Sequence, residues 1–185
     1  MGRSLPKVAQ SGSTNKLLKT PNRKTPTGLR NYCMILLMYR AGMRVSEVTG
    51  MQSAWINWKD GQLRILGKGK VERVVPLELW VLDSLKEWKS IRPSSKYFFC
   101  TLGGAQVQRR YVNAMLERYS ERAGIEHVNP HMLRHTYATE LLNEGYNVRE
   151  VQNALGHSDL KTTMIYTHVN PVEFRDKIRT RRMPI

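Results

Sequence analysis

Tyr166 stands on a polar segment, LGHSDLKTTMIYTH (residues 155–168), nine residues after His157, a histidine that follows a glycine. Alone, such a tyrosine reads as a packing residue at a helix end. Its companions add chemistry. His131 and Arg134 lie three apart behind Asn129 and Pro130, which cap and open a helix, so both fall on one face of its first turn. Free backbone N–H groups and the helix dipole favour an anion there, and a guanidinium beside an imidazole resembles a phosphate clamp. Arg44 follows AGM and has Glu47 three residues on. An arginine fixed by a carboxylate offers a rigid fork to two phosphate oxygens. Lys68 sits at the tip of LGKGKVER, where glycines on both sides leave its ammonium mobile. Taken one at a time, each has a plainer reading: a capping histidine, a solvated arginine, a surface ion pair, a basic loop.

Other chemistries fit poorly. His131 and His135 have the i, i+4 spacing of zinc-protease helices, but Met132 stands where the glutamate belongs and no third ligand has suitable spacing. GKGK lacks the long glycine pattern of a nucleotide phosphate loop, and no Gly-x-Ser-x-Gly turn exists. No metal or cofactor is expected. Cys33 and Cys100 sit in apolar contexts without a metal pattern and read as buried, reduced thiols of a cytoplasmic protein.

Charge is the loudest global signal. Thirty Lys and Arg stand against fifteen Asp and Glu, and nine basic residues precede the first acidic one, Glu47. That imbalance points to a polyanion, with nucleic acid ahead of membrane because no basic amphipathic helix has a bulky apolar face. The longest apolar run, CMILLMY (33–39), is far too short to span a bilayer, and no signal peptide opens the chain.

These residues must be positioned by a mainly helical α+β domain with a small sheet. Residues 1–28 read as a basic linker or arm, with a brief helical turn around NKLLK. A helix is expected from Leu29 to Ala41, stopped by Gly42, and a short one from Arg44. AWINW, GQLRILG and VERVVPL read as a three-stranded antiparallel sheet. Further helices are expected at Glu78–Ile91, at Ala105–Arg122, from Asn129 to the stop at Gly145, and from Asn147 to Gly156. Ser158 would cap a helix carrying Tyr166, and the tail from Glu173 reads as a basic helix that frays.

In order, these blocks resemble those of the tyrosine recombinases, the phage-integrase family. They are AGMRVSEV, GKGKVERVVPL, HMLRHTYAT and LGHSDLKTTMIYTHV, spanning roughly residues 29–169. The resemblance implies the recombinase catalytic fold and a site-specific enzyme that cuts and rejoins DNA through a 3′-phosphotyrosine, without ATP or metal. It makes Tyr166 the nucleophile, His131 its base, Arg44, Arg134 and His157 the groups that meet transition-state charge, and Lys68 the acid for the leaving 5′-oxygen. Glu47 would buttress Arg44 and His131. Lys70, Arg73, Arg109, Arg110 and Lys161 are expected on DNA. His127, His135 and His168 are read as structural. The implied partner is double-stranded DNA at a specific site, bound by a protein monomeric when free and tetrameric on synapsed duplexes, with room for an accessory DNA-bending protein and no membrane. The family's amino-terminal clamp domain has no counterpart ahead of residue 29, so the chain is expected to be an excised catalytic domain or a naturally short recombinase. The tail, 170–185, resembles a segment that docks on a neighbouring protomer.

Overall fold

The computed structural model describes residue 9 and residues 12–66, 71–156 and 171–183. It is a mainly helical body around one long buried helix, with a small sheet on one flank. That helix, α2 (Pro26–Arg40), follows α1 (Ser13–Lys19) and begins three residues before the expected start. Thr25 accepts from the Gly28 N–H, and Pro26 occupies the first helical position, so the chain carries both N-terminal signals. Leu29 and Tyr32 to Tyr39 are all buried, which makes α2 the hub of the core. Leu17 and Leu18 of α1, read above as part of an arm, are buried in the same core.

The short helix α3 (Val45–Gly50) leads through a 3₁₀ turn (Ser53–Trp55) into β1 (Ile56–Asn57). β1, β2 (Gln62–Leu66) and β3 (Val71–Pro76) form the expected antiparallel sheet in the order β1-β2-β3. Leu63 opposes Val75 and Ile65 opposes Arg73, so all four lie on the face turned to the core. Next come α4 (Leu79–Ile91) and α5 (Arg109–Ala123). α5 starts four residues later than expected. Residues 101–105 form a tight turn instead, with the Thr101 N–H on the Ala105 carbonyl at 2.8 Å and Gly104 at φ +82°.

α6 (Pro130–Asn143) starts on the Asn129 cap, and α7 (Val148–Leu155) starts on Asn147, whose side chain accepts from the Glu150 N–H while Glu150 accepts from the Asn147 N–H. The last helix, α8 (Pro171–Arg179), packs back on its own chain. Phe174 and Ile178 join Tyr137, Leu141, Tyr146, Val151 and Leu155 in a second apolar cluster. Tyr146 meets Phe174 edge to face at 5.5 Å.

An ionic cluster pins the C-terminal end of α2. The buried Arg40 donates to Glu78, ahead of α4, and to Glu140 of α6. Arg181, just past α8, donates to Glu78 and Glu144. Tyr39 adds a short hydrogen bond to Glu140. Four segments thus meet where α2 hands over to the Ala41–Arg44 turn. Among the described residues, no helix is long and apolar enough to cross a membrane.

Because Ile178 is wholly buried, truncating it should open a cavity under α8. Ile178→Ala is expected to cost about 2–4 kcal/mol in urea unfolding. A loss below about 0.5 kcal/mol would mean that α8 does not seat on α6 and α7 in solution.

Candidate active site

The site is built at the turn after α2. Gly42 takes φ +58°, and a Cβ there would lie 2.8 Å from side-chain atoms of Tyr137 and Leu155, so only glycine fits. Its carbonyl accepts from Arg134, whose other terminal nitrogen donates to the Leu155 carbonyl at 2.6 Å. Arg134 is thereby clamped between the α2–α3 turn and the end of α7. Two of its five donors are spent on backbone.

Two residues beyond Gly42, Arg44 is the cap residue of α3. Glu47, on the first turn, reaches back to the Arg44 N–H with Oε2 at 2.8 Å and to the Arg44 guanidinium with Oε1 at 2.9 Å. Arg73 of β3 completes the set, donating to Oε1 at 3.0 Å and to Oε2 at 2.8 Å. Each carboxylate oxygen accepts two N–H groups, which fills its lone pairs. Burial alone would raise the Glu47 pKa, but the Arg73 hydrogen bonds and charge, with those of Arg44, hold it below the ordinary carboxylate value. The Arg44 side chain stays 41% exposed while those of Glu47 and Arg73 are 9% and 2% exposed.

Two guanidiniums thus share one carboxylate, and a third, that of Arg134, lies within electrostatic reach of all three groups. Arg134 bears the consequence: burial, then the charges of Arg73 and Arg44, bring its pKa down to about 10. Among the described residues this cluster carries more positive than negative charge, which an oxyanion would balance. His131, exposed on the otherwise buried first turn of α6, precedes Arg134 by three residues as expected. Glu47 spends its oxygens on Arg44 and Arg73, not on His131, so the expected support of His131 by this carboxylate is absent from the geometry.

Arg73 departs from expectation. Read as a DNA contact, it points inward instead, because the period-two alternation of β3 places it on the same face as Val75. A side chain 2% exposed cannot grip an external phosphate backbone. Arg109 and Arg110 are exposed on the first turn of α5, where like charge at the dipole's positive end favours a bound anion. Lys68, Lys70, His157, Lys161 and Tyr166 lie outside the described residues. Their flanks are described: β2 and β3 bracket residues 67–70, and Gly156 leads directly into His157. Gly156 is itself constrained, since a Cβ would lie 2.7 Å from Arg73 Cδ. The roles of Gly42, Gly156 and the Leu155 carbonyl were missed from sequence. The glycine of each motif was the available signal.

A family model described as the phage integrase family matches residues 8–173. The chain belongs to the phage integrase family. Among curated relatives, the tyrosine recombinase XerC of Mannheimia succiniciproducens is 38% identical over 174 residues, covering 91% of this chain and 59% of the relative. The tyrosine recombinase XerD of Xanthomonas axonopodis pv. citri is 39% identical over 182 residues, covering 90% and 60%. This phage integrase family member thus spans about three fifths of the length of those relatives. Among solved structures, the XerA recombinase superposes with a TM-score of 0.75 at 25% identity, covering 95% of this chain and 65% of that one. The XerH site-specific recombinase bound to its difH substrate gives 0.73 at 28% identity, covering 95% and 54%. The mainly helical fold with its three-stranded antiparallel sheet is the one shared by these recombinases.

Removing the central carboxylate should expose its role. Glu47→Gln leaves a buried Arg73 unpaired and is expected to cost about 3 kcal/mol at neutral pH. A carboxylate with a lowered folded pKa stabilises above its unfolded value and loses that effect as pH falls through the folded one. Denaturant melts should therefore show the difference from wild type shrinking below about pH 4.5. A difference that is constant with pH would contradict the ionic assignment.

Proposed function

We propose that this chain is the catalytic part of a site-specific tyrosine recombinase acting on double-stranded DNA. The observation that carries the reading is the arginine cluster: Arg44 held by Glu47, and Arg134 held by backbone carbonyls, where among the described residues positive charge exceeds negative. A phosphodiester meets that excess, and a phosphorane-like transition state, richer in charge on its non-bridging oxygens, meets it better.

In this reading the Tyr166 phenol, with an ordinary pKa near 10, gives its proton to His131 and attacks the phosphorus. The bond from phosphorus to the 5′-oxygen breaks, and that oxygen takes a proton from Lys68. A 3′-phosphotyrosine and a free 5′-hydroxyl result. The reverse attack rejoins the strand, and because the diester's energy is kept in the covalent link, no nucleotide is consumed. Guanidiniums supply the charge that a metal supplies in other phosphoryl-transfer sites, so no cofactor is required. His157 adds a hydrogen bond to the same oxygens. Arg109, Arg110, Lys70 and Lys161 hold the DNA backbone, and synapsis of two duplexes calls for four copies of a protein monomeric when free. Chain carrying only part of the relatives' length should bind DNA weakly and with strong salt dependence.

Covalent trapping on a library of nicked duplexes, run on denaturing gels with EDTA present, tests the chemistry. Wild type should give a protein–DNA band, Tyr166→Phe none, and Arg134→Ala a rate lower by about 10²–10³. A band that persists in Tyr166→Phe would overturn the nucleophile. A band abolished by EDTA in wild type would point to a metal-dependent nuclease.

A further inference from the structure

Arg73 is spent on a carboxylate and yet is not fully satisfied. Its two terminal nitrogens hold Glu47, while its buried Nε–H meets no acceptor among the described residues. A buried arginine with an idle donor is poor value as a stability device, because unpaired buried polar groups are costly and hydrophobic replacements of buried pairs are often neutral. Its location is what distinguishes it. Arg73 touches Glu47, which sets Arg44, and it backs Gly156, the residue before His157.

Resting on the recombinase reading above, we propose that Arg73 is a positioning residue for the phosphate site: by filling one lone pair on each Glu47 oxygen, it keeps that carboxylate from closing on both nitrogens of Arg44. Glu47 now takes one Arg44 guanidinium nitrogen and the Arg44 N–H. Without Arg73, one lone pair on each oxygen opens, and the nearest cation among the described residues is Arg44, whose second guanidinium nitrogen can take the opened pair on Oε2 and complete a bidentate fork. Arg44 would then turn toward Glu47, away from a phosphate. The carboxylate's charge would also stand less compensated beside the incoming anion. Arg73 thus acts through Glu47, not through substrate, which its burial keeps from reaching it.

Among the described residues, the charged groups that face Glu47 are Arg44 at the start of α3 and Arg73 of β3 in contact, with Arg134 of α6 acting at longer range. In wild type, Arg73 and Arg44 hold the Glu47 pKa below the ordinary carboxylate value. In Arg73→Met, burial acts with less opposition, so Glu47 takes up its proton at higher pH. A protonated Glu47 neither captures Arg44 nor repels the anion. The defect of Arg73→Met should therefore fade as pH falls, whereas a defect of packing alone would not.

Sulfate is a suitable probe because it stays a dianion from about pH 5 to 8, and calorimetry on the full chain reads its affinity. Arg73→Met should weaken sulfate about tenfold near pH 7.5 relative to wild type, with the ratio closing toward about pH 5. Adding Glu47→Gln to Arg73→Met should regain most of the loss. Unchanged affinity in Arg73→Met, or a loss that neither acid nor Glu47→Gln narrows, overturns the proposal. Arg134→Ala separates it from the parent reading. Sulfate binding equal in wild type and Arg134→Ala would remove the arginine oxyanion site itself. Binding lost in Arg134→Ala but intact in Arg73→Met removes only the positioning role. Should Arg73→Met fail to fold, Arg73→Lys keeps the charge without spanning both oxygens. A loss of about threefold that closes in acid then supports the proposal, and wild-type affinity overturns it.

Discussion

One carboxylate accepting four N–H groups is the constraint around which the remaining geometry is arranged. Glu47 ties the start of α3 to β3, and the charge it neutralises is smaller than the charge gathered about it. Burying two arginines near a third is unfavourable unless something fixes them and something else answers their charge. The fold supplies the first from Glu47 and from the carbonyls of Gly42 and Leu155. The second is what a phosphate brings. An excess of positive charge held in this way is what an oxyanion would relieve in the reading proposed above.

Two glycines make that arrangement sterically possible. At Gly42 the backbone turns through a left-handed conformation and comes close enough to Tyr137 and Leu155 for its carbonyl to reach Arg134. At Gly156 the chain leaves α7 in the same left-handed region and passes over the Arg73 side chain. Each glycine belongs to a motif whose charged member draws the eye, yet it is the missing Cβ that lets the charged members converge. On the opposite side of α2's end, Arg40, Glu78, Glu140 and Arg181 hold the turn from below. α6 serves both clusters, with Arg134 near its start and Glu140 near its end.

Much of this was legible because local chemistry and global fold agree. Asn129–Pro130 and Asn147 with Glu150 mark helix starts that the structure keeps, and the three strands follow one another in the expected order with KDG between the first two. Local signals failed where context outweighed them. The Thr25–Pro26 start of α2 was hidden inside a polar, lysine-rich stretch that resembles a linker. The helical turn expected around NKLLK is there as α1, and its two adjacent leucines seat it in the core, which its polar surroundings conceal. Arg73 was read by its charge, not its place in the strand. The alternation with Val75 already put it on the inner face, and a buried arginine demands a carboxylate. That the partner would be Glu47, 26 residues earlier, follows from how α3 lies against the sheet and from nothing local.

The sequence separations within the cluster carry a consequence for how the chain acquires its activity. Arg134 meets a carbonyl 92 residues before it and another 21 residues after it, and Glu47 meets a partner 26 residues on. Contacts of that span are reached only after long loops have been closed at an entropic cost. No early folding intermediate can therefore hold a complete set of anion ligands. A chain still emerging from synthesis, or one partly unfolded, carries the positive charge but not the geometry that gathers it around Glu47. The geometry of the arginine cluster arrives with the native state as a whole, so cooperative folding is what assembles it.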